Sequence, residues 1–229
     1  GHIQAVGVDE AGRRQYIYHE RWHAISSSAK FDRMRRFGEL LPKIRRKVQK
    51  DLKGRKLTRN RVLAAVIRLL DKSHLRVGNR EYAESNGSHG ATTLLADHVQ
   101  VQRTRVRLEF PGKSGQQHEI ELFDEKVAKV IRQCEEIEGQ FLFQYFDSDG
   151  VAHSVSSSDV NESLKEMSGE LITAKDFRTW WGSVTALGVL ETIADNDTNA
   201  ERKRKISSAI AVTSKELGNT KAVCRASYI

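Results

Sequence analysis

Four short segments of this chain carry polar side chains that core packing does not explain. The first is Leu75-Arg76-Val77-Gly78-Asn79, followed by Tyr82-Ala83-Glu84-Ser85-Asn86. The second is Pro111-Gly112-Lys113-Ser114-Gly115. In the third, Lys175 and Arg178 stand three apart, which puts both on one side of a helix. The fourth runs from Asn219 to Tyr228. These residue types suit phosphodiester chemistry. An arginine fork binds two phosphate oxygens at once and is always charged. Two arginines could neutralise the extra charge of a five-coordinate phosphorus transition state, where one preorganised donor is worth on the order of 10²–10³ in rate. A lysine on a thin turn can protonate a leaving oxygen. A tyrosine can act as nucleophile and form a covalent intermediate. Each residue also has a plainer use: Arg76 in a salt bridge, Lys113 in an ordinary turn, Tyr228 as a half-buried helix residue. Spacing alone does not separate these readings.

The elements that must position these residues are legible in part. Residues 1–23 read as short strands and turns, with a turn at Asp9-Glu10-Ala11-Gly12 and a strand at Gln15-Tyr16-Ile17-Tyr18. Ser26-Ser27-Ser28 reads as a break. A helix is expected from Lys30 to about Leu52, on the spacing of Phe31, Met34, Phe37, Leu41, Ile44 and Val48. Pro42 should kink or divide it, and Gly54 should end it. Thr58 can cap the next helix. That helix is apolar around most of its circumference through Leu70, so it should be buried. From His98 to Leu122 the period changes to two, which predicts a three-stranded antiparallel sheet with the Pro111–Gly115 segment in its second turn. The remainder reads as helical. Asp124, Asp159 with Glu162, and Thr173 with Asp176 mark helix starts. A charged helix over 198–217 should turn Ile206, Ile210 and Leu217 inward and stop at Gly218, and a short helix from about Thr220 carries Tyr228.

Composition narrows the classes. The 229 residues are 38% hydrophobic and 30% charged, too polar for a membrane protein and too apolar for a disordered chain. No run of eighteen apolar residues exists. Two cysteines, Cys134 and Cys224, are too few for a disulfide framework or a thiolate metal site. The net charge of +8 is unevenly spread: residues 1–80 hold 21 Lys and Arg against 7 Asp and Glu, a net of +14, and residues 81–229 hold 17 against 23, a net of −6. Such asymmetry suits a polyanion, most simply nucleic acid. Two other motifs fail. Gly112-Lys113-Ser114 has Arg107 where a nucleotide-binding loop needs glycine, and a strand rather than a helix should follow it. Asp147-Ser148-Asp149-Gly150 lacks the remaining acidic ligands of a calcium loop and reads as a turn.

Taken together, the segments resemble the type IB DNA topoisomerases, the compact bacterial and poxvirus kind. Arg76 with Asn79, Tyr82 and the Gly90-Ala91-Thr92-Thr93-Leu94 block is similar to the segment holding the first catalytic arginine. Phe110-Pro111-Gly112-Lys113-Ser114-Gly115 resembles the lysine hairpin, and Thr173 to Trp180 the second-arginine helix. Leu217-Gly218-Asn219-Thr220 through Ser227-Tyr228 resembles the nucleophile segment. The resemblance covers essentially the whole chain.

It implies a mainly α fold with a small three-stranded antiparallel sheet, shared by these topoisomerases and the tyrosine recombinases. It also implies relaxation of supercoiled duplex DNA through a 3′-phosphotyrosyl intermediate. Tyr228 would be the nucleophile, Arg76 and Arg178 the phosphate ligands, Lys113 the general acid and Lys175 its helper. Asn219, where relatives often have His, would donate to a phosphate oxygen; the plainer alternative is that it caps the last helix. Tyr16, Tyr18, Asn79, Tyr82 and Thr93 would touch DNA. No cofactor, metal, nucleotide or membrane is implied. The protein would act as a monomer at the bacterial nucleoid or come from a virus. Residues 1–23 would be the last strands of an amino-terminal clamp domain and 24–229 the catalytic domain, with the rest of the clamp and the tail after the nucleophile missing. Lys221 and Ala226 depart from the residues expected at those positions. The alternatives are a tyrosine recombinase, which usually has a His in the site and works in tetramers, and a DNA-binding protein without activity.

Overall fold

The computed structural model describes residues 3–8 and 14–228. The expected turn at residues 9–12 lies outside the described residues. The described residues fall into two compact units, divided between Glu39 and Leu40. In the first, β1 (Ile3–Val8) pairs antiparallel with β2 (Arg14–Tyr18). A long helix, α1 (Glu20–Asp51), follows and continues into the second unit. It runs unbroken through Ser26-Ser27-Ser28, against the expected break, and through Pro42. Serine in a helix interior costs only about half a kcal/mol, too little to stop a helix with this much apolar periodicity on its carboxyl side.

The second unit is built around α2 (Arg59–Ser73). Thr58 caps it by accepting a hydrogen bond from the Arg61 amide. Val62 to Leu70 are almost wholly buried, apart from Arg68. At about 1.5–3 kcal/mol per buried aliphatic side chain, this helix is the unit's chief apolar anchor. Around it pack α4 (Glu125–Glu135), α5 (Ser157–Ser168) and α6 (Ala174–Leu190). Asp124 caps α4 and pairs with Arg68 and Lys72 of α2, joining the two helices by charge as well as packing.

The predicted sheet is present. Antiparallel β3 (Val99–Gln102), β4 (Arg105–Pro111) and β5 (Gln117–Phe123) keep Val106, Leu108 and Phe110 on the buried face. A second small hairpin, β6 (Gln144–Phe146) with β7 (Ala152–Ser154), interrupts the stretch expected to be helical. Its turn contains the Asp147–Gly150 segment, where the Asp147 carboxylate accepts from the amides of Asp149 and Val151 and is spent on the turn itself. Helix α5 is capped by Ser156, with Asp159 as the reciprocal partner of that box rather than the cap. Helix α3 (Arg80–Asn86) follows α2, and α7 (Asn199–Leu217) and α8 (Lys221–Ser227) close the chain. On α7 the buried stripe begins at Ala209, so Ile210 and Leu217 are inward as expected, whereas Ile206 is 41% exposed.

Candidate active site

Arg76 lies in the irregular segment between α2 and α3. His74 turns the chain out of α2 with a left-handed backbone (φ 58°). The segment is then clamped to residues 90–93: the Ala91 amide donates to the Arg76 carbonyl at 2.9 Å and the Thr92 amide to the Val77 carbonyl at 2.7 Å. The two chains approach so closely that a Cβ on Gly90 would stand 2.5 Å from the Gly78 nitrogen. Gly78 also has φ +96°, which side chains other than glycine resist. The glycines and threonines of these two segments therefore make one brace for Arg76. Thr93 belongs to that brace. It is fully buried, and its hydroxyl accepts from the Gly90 amide, so its expected contact with DNA is not available in this structure.

Arg178 comes from the second turn of α6, which Thr173 and Asp176 start by a capping box as expected. It is buried, with one guanidinium nitrogen donating to the His74 carbonyl and another to the Leu217 carbonyl at 2.6 Å. Its Nε has no hydrogen-bond partner among the described residues. Burial, and then the neighbouring Arg76, bring its pKa down to about 10, which leaves it charged at neutral pH. The Tyr228 hydroxyl is within hydrogen-bonding reach of it.

Tyr228 closes α8 as its carboxyl-terminal cap and is 9% exposed, in a small cluster with Ile210, Leu217 and Cys224. Its ring lies on Gly182 of α6, where a Cβ would come within 2.7 Å of Cδ1. One helix thus supplies both the arginine and, one turn later, the space for the tyrosine. Gly218 ends α7 in the left-handed conformation (φ +56°), and Asn219 follows. Its Oδ1 accepts a 2.7 Å hydrogen bond from Arg76, which fixes the amide's orientation. Its Nδ2 is buried with no oxygen or nitrogen acceptor among the described residues; the Cys224 thiol, a weak acceptor, is its neighbour. Thr220, not Asn219, caps α8, by accepting from the Val223 amide. Burial pushes both thiols up, Cys134 to about 11, so neither is a nucleophile at neutral pH.

The structure therefore gathers Arg76, Arg178, Asn219 and Tyr228 from three of the four segments. Lys113 is exposed at the β4–β5 turn and Lys175 is exposed in the first turn of α6; neither ammonium has a partner among the described residues. Asn79 caps α3 by accepting from the Tyr82 amide, and Tyr82 is exposed beside it. Tyr16, half exposed, and Tyr18, whose side chain lies outside the described residues, belong to β2 in the first unit. Sequence reasoning missed His118 and Gln116 on the far limb of the Lys113 hairpin. His118 feels both arginines, and Gln116 lies against Gly218. A histidine in an alternating strand resembles a surface residue, so no local signal marked it.

Comparison with known proteins agrees with this arrangement. The family model described as "Eukaryotic DNA topoisomerase I, catalytic core" matches residues 19–228. DNA topoisomerase 1B of Acanthamoeba polyphaga mimivirus is 30% identical over 99% of this chain, which spans 70% of that protein. DNA topoisomerase 1B of vaccinia virus (strain Copenhagen) is 25% identical over 98% of the chain and 69% of its own length. For DNA topoisomerase 1 of Drosophila melanogaster the identity is 28%, over 76% of this chain but only 18% of that protein. A crystal structure of the XerH site-specific recombinase bound to its difH substrate shares the fold, with a TM-score of 0.51, 12% identity, and coverage of 82% of this chain and 48% of that one. The match over nearly its whole length shows that the chain belongs to the DNA topoisomerase I catalytic-core family.

Proposed function

We propose that this protein relaxes supercoiled duplex DNA by cutting and resealing one strand. The Tyr228 hydroxyl gives up its proton to solvent as its oxygen attacks the scissile phosphorus. The bond to the 5′ oxygen breaks, and that oxygen takes a proton from Lys113, with Lys175 assisting, after which the lysine regains a proton from solvent. The phosphate stays on Tyr228 as a 3′ ester while the free 5′-OH end swivels about the intact strand. Reversal of the same step reseals it. One phosphodiester is exchanged for another, so no nucleotide is consumed, and arginine and lysine supply the charge that the transition state needs. Arg76 and Arg178 bind the non-bridging oxygens, and Asn219 donates its amide to one of them.

The observation that carries this reading is the convergence of a tyrosine with two guanidinium groups at a buried site that still holds two N–H donors, Arg178 Nε and Asn219 Nδ2, with no oxygen or nitrogen acceptor among the described residues. Buried donors are almost always satisfied, and an anionic phosphate is the acceptor that fits. Tyr16, Tyr18, Asn79 and Tyr82 are read as DNA contacts. Residues 1–23 are read as part of a clamp around the duplex and 24–229 as the catalytic domain, acting as a monomer on nucleoid or viral DNA. No helix among the described residues is long and apolar enough to cross a membrane.

The test is a denaturing gel of protein incubated with a suicide duplex that loses its short 5′ strand on cleavage. Wild type should become covalently linked with or without EDTA, and Tyr228→Phe should bind DNA but never link. Linkage by the Phe variant, or its loss on chelation, would overturn the mechanism. Resolution of four-way junctions by tetramers would favour a recombinase instead.

A further inference from the structure

The turn that presents Lys113 is seated on the ring of His118. In β5, His118 stacks on Phe110 of β4 across the ladder, with centroids 5.2 Å apart and planes at 23°. The Gly112 backbone lies so near the imidazole that a Cβ there would be 2.3 Å from Cδ2 and 2.5 Å from Nε2. Gly112 has φ −100° and ψ −161°, open to any residue, so the ring and not the backbone conformation requires glycine. From Gly112 the turn closes immediately, its amide donating to the Gln116 carbonyl at 2.8 Å, with Lys113 inside the loop. The same imidazole is close enough to Arg76 and Arg178 to feel both charges. Burial first, and then these two guanidinium groups, hold its pKa below the usual histidine value and keep it neutral. Two residues before it, the Gln116 side chain meets Gly218, next to Asn219. One limb of the hairpin therefore touches the Lys113 turn, the arginine pair and the Asn219 corner together.

We infer that His118 is a positioning residue whose ring sets the Lys113 turn against the arginine pair and so aims the lysine at the leaving 5′ oxygen. This rests on the reading of Lys113 as proton donor. Loss of the ring leaves the arginines in place but frees the turn, and a misplacement near 1 Å costs on the order of 10² in rate. The defect should lie in protonation alone.

Single-turnover cleavage is compared on ordinary DNA and on DNA with a 5′-bridging sulfur, whose thiolate leaves without a proton. His118→Ala should cleave ordinary DNA on the order of 10–10² slower and the sulfur substrate within about threefold of wild type. His118→Phe, which keeps a flat ring for the turn, should retain most activity on both. Gly112→Ala should copy His118→Ala, and adding it to His118→Ala should cost nothing more, because the atom it strikes is gone. Should His118→Ala fail to fold, Gly112→Ala and His118→Phe carry the comparison. Equal slowing on both substrates would overturn the inference, as would a Phe variant as slow as Ala or full multiplication in the Gly112 double variant. Lys113→Ala is the control for the underlying reading. If sulfur does not rescue it, the proton-donor role fails, and the His118 inference is judged on the pair: a His118→Ala/Lys113→Ala double variant no slower than Lys113→Ala supports it, and multiplied defects overturn it.

Discussion

Replacing Asn219 by aspartate changes one atom and should nearly abolish cleavage. The Asn219 Oδ1 accepts from Arg76 at 2.7 Å, and its Nδ2, which meets only a weak thiol acceptor among the described residues, is the donor read as reserved for phosphate. The substitution swaps that donor for an oxygen and adds a full negative charge. Losing one preorganised donor costs on the order of 10² in rate. A carboxylate about 5 Å from a phosphate charge adds about 3 kcal/mol of repulsion at an effective dielectric of 20, another factor of roughly 10². The introduced carboxylate also pairs with Arg76, competing for a guanidinium that should bind the substrate. Cleavage should therefore fall by about 10³–10⁴. The free protein should be no less stable, because an amide–guanidinium contact becomes an ion pair. Single-turnover linkage to a suicide duplex gives the first quantity and thermal unfolding the second. Asn219→Ala should lose only about 10², and Asn219→His should keep most activity by donating from its ring. A folded Asn219→Asp protein within tenfold of wild type would refute the phosphate-donor role outright, since Thr220 already caps α8 and leaves no capping role to explain tolerance.

Gly182→Ala ordinarily gains about 1 kcal/mol of helix propensity; here the new methyl meets the Tyr228 ring, so unfolding experiments should show a net loss and cleavage should slow at least tenfold. Asp124 is buried, which raises its pKa, but hydrogen bonds from Lys72, Arg68 and the Val127 amide outweigh this and leave it depressed. A depressed carboxylate stabilises the fold above its unfolded pKa of about 3.9, and that contribution disappears as pH falls through the lower folded value. Asp124→Asn should therefore lower stability at pH 7 by about 1–2 kcal/mol and flatten the acid limb of a stability–pH curve below about pH 4. DNA binding should weaken steeply with salt, since residues 1–80 carry a net +14, and log affinity falls by about 0.9 per phosphate contact per decade. A slope near zero in a fluorescence-anisotropy titration would show that those charges do not face DNA.

The sequence reveals most where the cause is local. The α2 helix, its Thr58 cap, the β3–β5 ladder, the Asp124 cap and the Gly218 stop each follow from residues a few positions apart. It misleads where two local signals compete. Asp159 and Glu162 imitate a capping box, but the serine at 156 owns the cap and Asp159 serves it. Strands of three residues, as in β6 and β7, are too short to show a period. The site lies at the other extreme. Arg76 and Asn219 are 143 positions apart in the chain, and Arg178 and His74 are 104 apart. Nothing in the spacing brings them together; the resemblance of motifs did. His118 had neither signal, because its importance arises from the ring's place beneath Gly112, which only packing shows.

The anchoring of Arg178 has a consequence for how such a site endures. Two of its acceptors are main-chain carbonyls at helix ends, His74 after α2 and Leu217 closing α7. No substitution can delete a carbonyl, so any sequence that preserves the two helix termini preserves the socket. Carbonyls at helix C-termini also carry partial negative charge, enough to hold a guanidinium without cancelling it as a carboxylate would. The socket is inherited as geometry rather than as residue identity, and its neighbours are free to drift while the arginine keeps both its place and its full charge.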